Sequence, residues 1–399
     1  MSGILNLKSS IESDDSITGI QYHSYNPYTN AFDNNDEIRI SVQQQDLYVL
    51  LNKSLIYIEG VIERKPNVAE NIELPKLVNN CAAFLFDEIR YELNGFEIDR
   101  CKNVGITSTM KGYTSIRGSD THELNIAGWN IEETANIGSF SRCIPLKILL
   151  GFAEDYKKII INAKHELILV RSRNDLNCFY GSQDSFKIKI HKIQWKVPHI
   201  QVADYAKLTL LKHVERKQPI HMAFRSWELF EYPTLPQTDK HVWQIKTSNN
   251  LNKPRYVILG FQTNRKSVID RDATSFDHCN IRDVKVHLNS EYYPYENLNL
   301  NWDNEQYSIL YHMYANFQES YYNRKTNNPY FSFQGFKDVA LFVIDCSRQN
   351  ESLKNSLVDI RLEIQARTNI PANTSAYCLI INDNIVSYNP YTNVVHRAT

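Results

Sequence analysis

The sequence predicts an all-β protein with a few short helices, arranged as two tandem domains of similar size. Three observations predict this. Short stretches that alternate apolar and polar residues recur from Ile38 to Ile381, the period of half-buried strands. The chain has 399 residues, beyond the size at which a single core stops growing. A hairpin with one wet face followed by a helix occurs once in each half, which marks an internal duplication. Composition agrees: aromatic residues make up 12 %, with 24 Tyr against 17 Phe and 5 Trp, and a ring buried in a sheet with its hydroxyl paired suits such surfaces.

Residues 1–36 are polar, carry an acidic cluster at Glu12, Asp14 and Asp15, and show little periodicity, so they read as a partly disordered N-terminal arm. Inside it, Ser24 to Asn30 (SYNPYTN) recurs letter for letter at Ser387 to Asn393. Both copies hold an Asn-Pro turn between tyrosines, so the two places are expected to occupy related environments.

The first domain is expected over residues 37–200. Ile38 to Val42 and Ser54 to Ile62 alternate as strands. Phe86 to Asp99 is the clearest local signal: Ile89, Tyr91 and Leu93 alternate with charges, Asn94-Gly95 supplies a type I′ turn, and Phe96 and Ile98 alternate on the return. A short helix is expected over Asn103 to Tyr113, then a loop-like region to about Cys143. Ile159 to Ile161 and Glu166 to Val170 read as buried strands. Phe186 to Ile193 alternates again, with Lys187, Lys189 and Lys192 on a solvent side that discourages edge pairing.

Residues 201–240 are expected to join the domains, within a longer stretch from Trp195 to Trp243. A helix is expected over Val202 to Arg216, stopped by Pro219. Gly and Ser are nearly absent there while aromatic residues crowd it, so the joint is packed rather than flexible. Trp195, Trp227, Phe230, Tyr232 and Trp243 are the candidate inter-domain and assembly residues.

The second domain is expected over 241–386, with a C-terminal tail at 387–399. Tyr256 to Gln262 is an apolar strand. Asp283 to Tyr293 repeats the hairpin, with Leu288-Asn289 falling 195 residues after Leu93-Asn94. The helix that follows is capped by Asp303, with Gln306 three residues on, and Ile309, Leu310, Met313, Tyr314, Phe317 and Tyr321 form its apolar stripe. Val339 to Ile344, Ser356 to Ile364 and Ala376 to Ile381 are three further strands.

The pattern offers little for chemistry. His122-Glu123 and His165-Glu166 each begin a zincin-like motif, but Ile126 and Leu169 stand where the second histidine is needed. No GxSxG, GxGxxG or phosphate loop occurs. Asp277-His278-Cys279 with His287 has metal-capable side chains, yet His287 fits the alternation of its hairpin without metal. Glu132-Glu133 and Glu154-Asp155 read as solvated faces. A carboxylate pair assembled from distant strands, as in glycosidases, stays open. Seven scattered cysteines without a CxxC pair read as reduced thiols of an intracellular protein. A net charge of −1 argues against an overall electrostatic grip on nucleic acid. No run of eighteen apolar residues and no signal-like start occur, so no membrane span is expected.

The run Ile144 to Lys158 (IPLKILLGFAEDYKK), the hairpin Phe86 to Asp99 and the series Pro254 to Gln262 (PRYVILGFQ) resemble the major capsid proteins of the double jelly-roll lineage. The likeness is greatest to those of Polinton (Maverick) elements, adintoviruses and endogenous relatives in invertebrate genomes, and covers the chain from about residue 36. It implies two tandem eight-stranded jelly rolls and a homotrimer that forms a pseudo-hexagonal capsomer of an icosahedral virion shell. It implies no enzyme activity, no cofactor and no specific nucleic-acid binding; the partners are neighbouring capsomers and penton or minor capsid proteins. The chain is short for the lineage, and its second half is expected to lack room for the tall insertions that form towers outside many such capsids. A two-domain jelly-roll carbohydrate-binding protein or hydrolase, and a domesticated capsid-derived host protein, stand as alternatives.

Overall fold

A computed structural model describes residues 16–43, 48–66, 75–129, 138–181, 184–246, 253–324, 327–349 and 358–398. Eight main strands build the first half: β1 (Ile17–Tyr25), β2 (Glu37–Val42), β3 (Leu55–Arg64), β4 (Phe86–Leu93), β5 (Phe96–Lys102), β6 (Gly138–Pro145), β7 (His165–Arg171) and β8 (Phe186–Val202). They form two antiparallel sheets in the orders β1-β8-β3-β6 and β2-β7-β4-β5. The second half has β9 (Ile220–Tyr232), β10 (Lys240–Ile245), β11 (Lys253–Thr263), β12 (Ile281–Leu288), β13 (Glu291–Tyr293), β14 (Phe342–Asp345), β15 (Ile360–Ala366) and β16 (Thr374–Asn389). Its orders are β9-β16-β11-β14 and β10-β15-β12-β13, the first set with eight added to every label. The chain alternates between facing sheets in the same way twice, so each half is an eight-stranded jelly roll. A last strand, β17 (Val394–Arg397), pairs with the end of β16.

Alternation explains the strands. β3 buries Ile56, Ile58 and Ile62, and β15 buries Ile360, Leu362 and Ile364, each side chain contributing about 1.5–3 kcal/mol when fully withdrawn from water. The duplication extends to hydrogen bonds. Asn94, at φ 51°, donates its N–H to Lys164 O (2.8 Å), and its Oδ1 accepts from Lys164 N–H (2.7 Å). Asn289, at φ 55°, makes the same pair with Asp359, at 3.0 and 2.7 Å. Both members lie 195 residues further on. Asparagine tolerates this left-handed backbone and can bond back to it, which explains why it stands at both turns.

Of the longer helices, α1 (Val104–Ser115) and α4 (Ser308–Tyr322), with the short α2 (Gly151–Asp155), pack against the rolls. Helix α3 (Asp204–Glu215) buries none of its residues and leaves Tyr205 and Leu208 exposed, so among the described residues the joint expected to be packed is open along its helix. The structure differs from expectation at several points. Residues 17–25, expected in a partly disordered arm, form β1, held by pairing along Trp195 to Val202 of β8; the acidic cluster at residues 12–15 lies outside the described residues. Asp303 does not cap α4: Asn301 and Gln306 close a turn on each other through both backbone groups, and the helix begins only at Ser308. The lysine-bearing strand is not an edge. β8 is central, and Lys187 and Lys192 pair with Glu63 and Glu59 of β3 at 3.4 and 3.5 Å. The stretch expected as a joint divides, because 220–232 is β9 of the second roll and 203–219 alone connects the two rolls. The two SYNPYTN copies end different strands: the first follows β1, whereas the second closes β16 and turns against the first roll, where Asn162 and Asn94 donate side-chain N–H groups to Pro390 O and Asn393 O.

Candidate functional site

The two rolls meet where α2 and β5 of the first lie against β9 of the second, and where α1 meets α4. The closest approach is backbone to backbone. An added Cβ on Gly151 would stand 1.8 Å from Arg225 O, so no side chain fits there. From the next residue, Phe152 N–H donates to Asp99 Oδ2 of β5 (2.8 Å), and the Phe152 ring meets Phe224 of β9 edge to face at 5.1 Å.

Two ion pairs then cross the junction. Arg225 donates Nε and Nη2 to the two oxygens of Asp155 (2.8 and 2.6 Å), and Nη1 to Tyr321 O (2.7 Å). Its guanidinium carbon lies 3.4 Å from the Tyr321 ring centre. Deeper in, the Lys111 side chain, 2 % exposed, donates to Glu154 Oε1 (3.1 Å) and to Tyr322 Oη (2.9 Å). Tyr321 Oη donates to Glu154 Oε2 (2.8 Å), and Tyr322 Oη donates to Oε1. The Lys111 ammonium also faces the rings of Tyr321 (4.3 Å) and Trp227 (4.8 Å). Further along α4, Tyr314 Oη and Gln318 Nε2 donate to the carbonyls of Tyr113 and Ile116 at 2.8 and 3.2 Å.

Burial lowers the Lys111 pKa, with Glu154 acting against the fall. Burial, reinforced by the Glu154 charge, pushes the Tyr321 and Tyr322 phenols well above their ordinary value, so both stay protonated donors. Burial opposes the Arg225 charge, but the Asp155 hydrogen bonds outweigh it and hold the pKa above the ordinary value. Both Glu154 oxygens are thus occupied by donors from α1 and α4. A satisfied buried network of this kind resists sliding and rotation, because any shift strands a charge in a poorly solvated place. The arrangement is suited to holding two rolls at one angle.

Of the residues expected here, Trp227 and Phe230 lie beside β5 of the first roll, around a cavity of about 330 Å³ lined also by Ile98 and Asp99. Trp195 is instead in the first roll's core, edge to face with Tyr91 at 6.4 Å. Tyr232 and Trp243 meet edge to face at 5.7 Å within the second roll. Glu154-Asp155, read as a solvated face, is the acidic half of the junction; Glu132-Glu133 lies outside the described residues. Sequence reasoning missed Lys111, Arg225, Tyr321 and Tyr322 as a group. Lys111 carried one usable signal, a lone charge inside a helix whose other residues are small or apolar.

Among the described residues no group of three or more His, Cys, Asp or Glu side chains converges as a metal site requires, and all seven cysteines are free. No described helix is long and apolar enough to cross a membrane.

Residues 75–386 match the double jelly roll-like domain family. No curated protein matches the chain by sequence. Among solved structures, PBCV-1 VP54 is similar at a TM-score of 0.65 and 10 % identity, over 98 % of this chain and 99 % of that one. The Faustovirus major capsid protein is similar at 0.61 and 10 %, over 96 % and 92 %. The mavirus major capsid protein is similar at 0.55 and 11 %, over 100 % and 93 %.

Proposed function

The chain belongs to the double jelly roll-like family, and from that premise we propose that it is a major capsid protein, structural rather than catalytic. Three copies form a pseudo-hexagonal capsomer, and capsomers tile an icosahedral virion shell together with penton or minor capsid proteins. The observation that carries the reading is the repeated strand order joined by a locked junction. Two rolls of one topology give each copy two similar building blocks, and a heterologous contact repeated around an axis closes into a ring when the rotation allows it. Shell geometry requires a fixed angle between the rolls, and the Lys111–Glu154 and Arg225–Asp155 pairs, with Gly151 pressed on Arg225 O, supply the rigidity.

Trp227 and Phe230, at the junction, serve this rigidity, and Trp227→Ala with Phe230→Ala should harm capsomer formation more than the folding of either roll. The arm before β1 contacts neighbouring capsomers or a minor protein: removing residues 1–15 should leave trimers and weaken shells, whereas a deletion reaching residue 30 would also take β1 out of the first roll. The deciding experiment is to express the full chain alone, measure its mass in solution and image it by negative stain. Particles of about threefold mass, or closed shells, are expected for ring-forming copies. A strictly monomeric protein would overturn the reading, and trimers that never close into shells would favour a domesticated relative.

A further inference from the structure

Helix α3 carries apolar residues on two sides. Ala206, Leu210 and Val214, four residues apart along one side, are half-buried. Tyr205, Leu208 and Leu211, on another side, are 59 %, 58 % and 43 % exposed. A helix that is apolar on more than one side is covered on more than one side in a folded protein. Among the described residues the second stripe has no such cover, since no residue of α3 is buried.

The described chain begins at the start of this same helix. Ser16 O accepts the N–H of Ala203 (2.9 Å), the residue just before α3, and Ile17 pairs with Val202. Residues 1–15 therefore set out from the first turn of α3, and they are long enough to run its length. At 1.5 Å per residue they span about 22 Å even when wound as a helix, against about 18 Å for α3. Their chemistry matches as well. Ile4, Leu7 and Ile11 recur at the spacing of one apolar helix face. The segment has one basic side chain, Lys8, against Glu12, Asp14 and Asp15, whereas in 204–217 Lys207, Lys212, Arg216 and Lys217 outnumber Asp204 and Glu215. The carboxylates also stand closest to the start of α3, whose first N–H groups have no side-chain cap, where negative charge is favoured.

We propose that residues 1–15 lie along α3 of their own chain, with Ile4, Leu7 and Ile11 on the stripe of Tyr205, Leu208 and Leu211 and the acidic end beside the helix start. Apolar residues on both sides then lose water together. The tether at Ser16 favours this segment over any free partner, because it holds the two faces at an effective concentration of about millimolar. The arm becomes a clasp on the connection between the rolls, 203–219. This goes beyond the capsid reading and does not depend on it, and the far side of the seated arm stays available to neighbouring capsomers.

Full-length chains carrying Ile11→Cys and Leu208→Cys together, treated with a short thiol-to-thiol cross-linker and read as linked tryptic peptides, test the assignment. A link within one chain is expected. Ile11→Cys with Val242→Cys, exposed on β10 of the second roll, should give none. The two single variants, co-expressed, should give none either; a link between them would place the arm on a second copy and overturn the proposal. Independently, removing residues 1–15 should speed amide exchange across 204–215 and trypsin cleavage after Lys207 and Lys212 by about tenfold or more, with the sheets of both rolls unchanged. Ile4→Asp with Leu7→Asp should do the same in the full-length chain, whereas Leu208→Met should keep the protection. If the double-cysteine chain forms no link and α3 exchanges at one rate with and without residues 1–15, the contact is overturned. Mass in solution reports the capsid reading separately: a monomeric chain that still links keeps this contact, and trimers that do not link lose this contact alone.

Discussion

The first roll and the second roll share a strand order, a left-handed asparagine turn and even the bonds that turn makes, but they differ in what covers them. In the first roll the β5 flank is packed against the neighbouring roll, while among the described residues β1 pairs only with β8 and leaves Ile20 and Tyr22 exposed. In the second, β9 is packed, while among the described residues Tyr295 beside β13 is exposed. Duplication thus reproduces the framework, which depends on alternation and turns within each half. It does not reproduce the surface environment, because one chain can bring only one such pair of faces together.

The junction that creates this difference can be broken most severely at its buried charge. Lys111→Met leaves Glu154 without its cation, and removing one partner of a buried pair costs about 3–5 kcal/mol. Denaturant unfolding should register that loss, and Lys111→Met combined with Glu154→Gln should recover much of it; an additive double variant would show that the two groups do not act together. Next is Gly151→Ala, whose methyl group has no room against Arg225 O. Overpacking costs about 1–3 kcal/mol, and here the loss should appear as freer roll-to-roll motion, read as faster proteolysis of 203–219 with each roll's sheets intact.

The equivalence of the two rolls can be sharpened at the turns. Asn94→Ala and Asn289→Ala each remove a side-chain acceptor from a backbone N–H and force alanine into a left-handed conformation, costing about 1–2 kcal/mol in each case. Hydrogen exchange at the starts of β7 and β15 should report similar losses. Asn94→Ala should additionally loosen β17, because Asn94 also holds Asn393 O.

The smallest effect at neutral pH is an acid response confined to the first roll. His165 starts β7, where β15 has Ile360, and burial, with a minor contribution from His199, depresses its pKa to about 3. The folded roll needs a neutral imidazole, so the stability this provides is complete above about 6.5, the ordinary histidine value, and is lost as pH falls towards about 3. Asp99 works in the opposite sense. Burial raises its pKa to about 6, so its contribution is complete below the ordinary 3.8 and is lost as pH rises through about 6. In a pH series, β7 should lose exchange protection before β15 does. His165→Gln, which keeps a polar partner for Tyr91, should remove much of that acid slope, and Asp99→Asn should steepen it between about 6 and 3.8.

Much of the framework is legible without coordinates. Ile38-Arg39-Ile40-Ser41-Val42 and Asn94-Gly95 declare a strand and a turn through residues adjacent in sequence, because side-chain period and backbone φ are local properties. Strand β1 was not legible. Its ITGIQYHSY has strand-compatible residues but sits in a polar stretch, and it becomes a strand through pairing with residues 170 or more positions away. Asp303 misled for the converse reason, since a capping pattern competes with whatever turn the local backbone closes first.

What the sequence determined by itself was therefore a pair of all-β halves, the 195-residue offset between their turns and the likeness to double jelly-roll capsid proteins. The tertiary structure alone decided that Glu154 and Asp155 are junction residues rather than a wet face. Their partners Lys111 and Arg225 lie 43 and 70 residues away, and the whole effect depends on water being excluded when the rolls dock. Periodicity records which side of a strand or helix is buried, whereas it carries no information about which distant charge will be buried opposite.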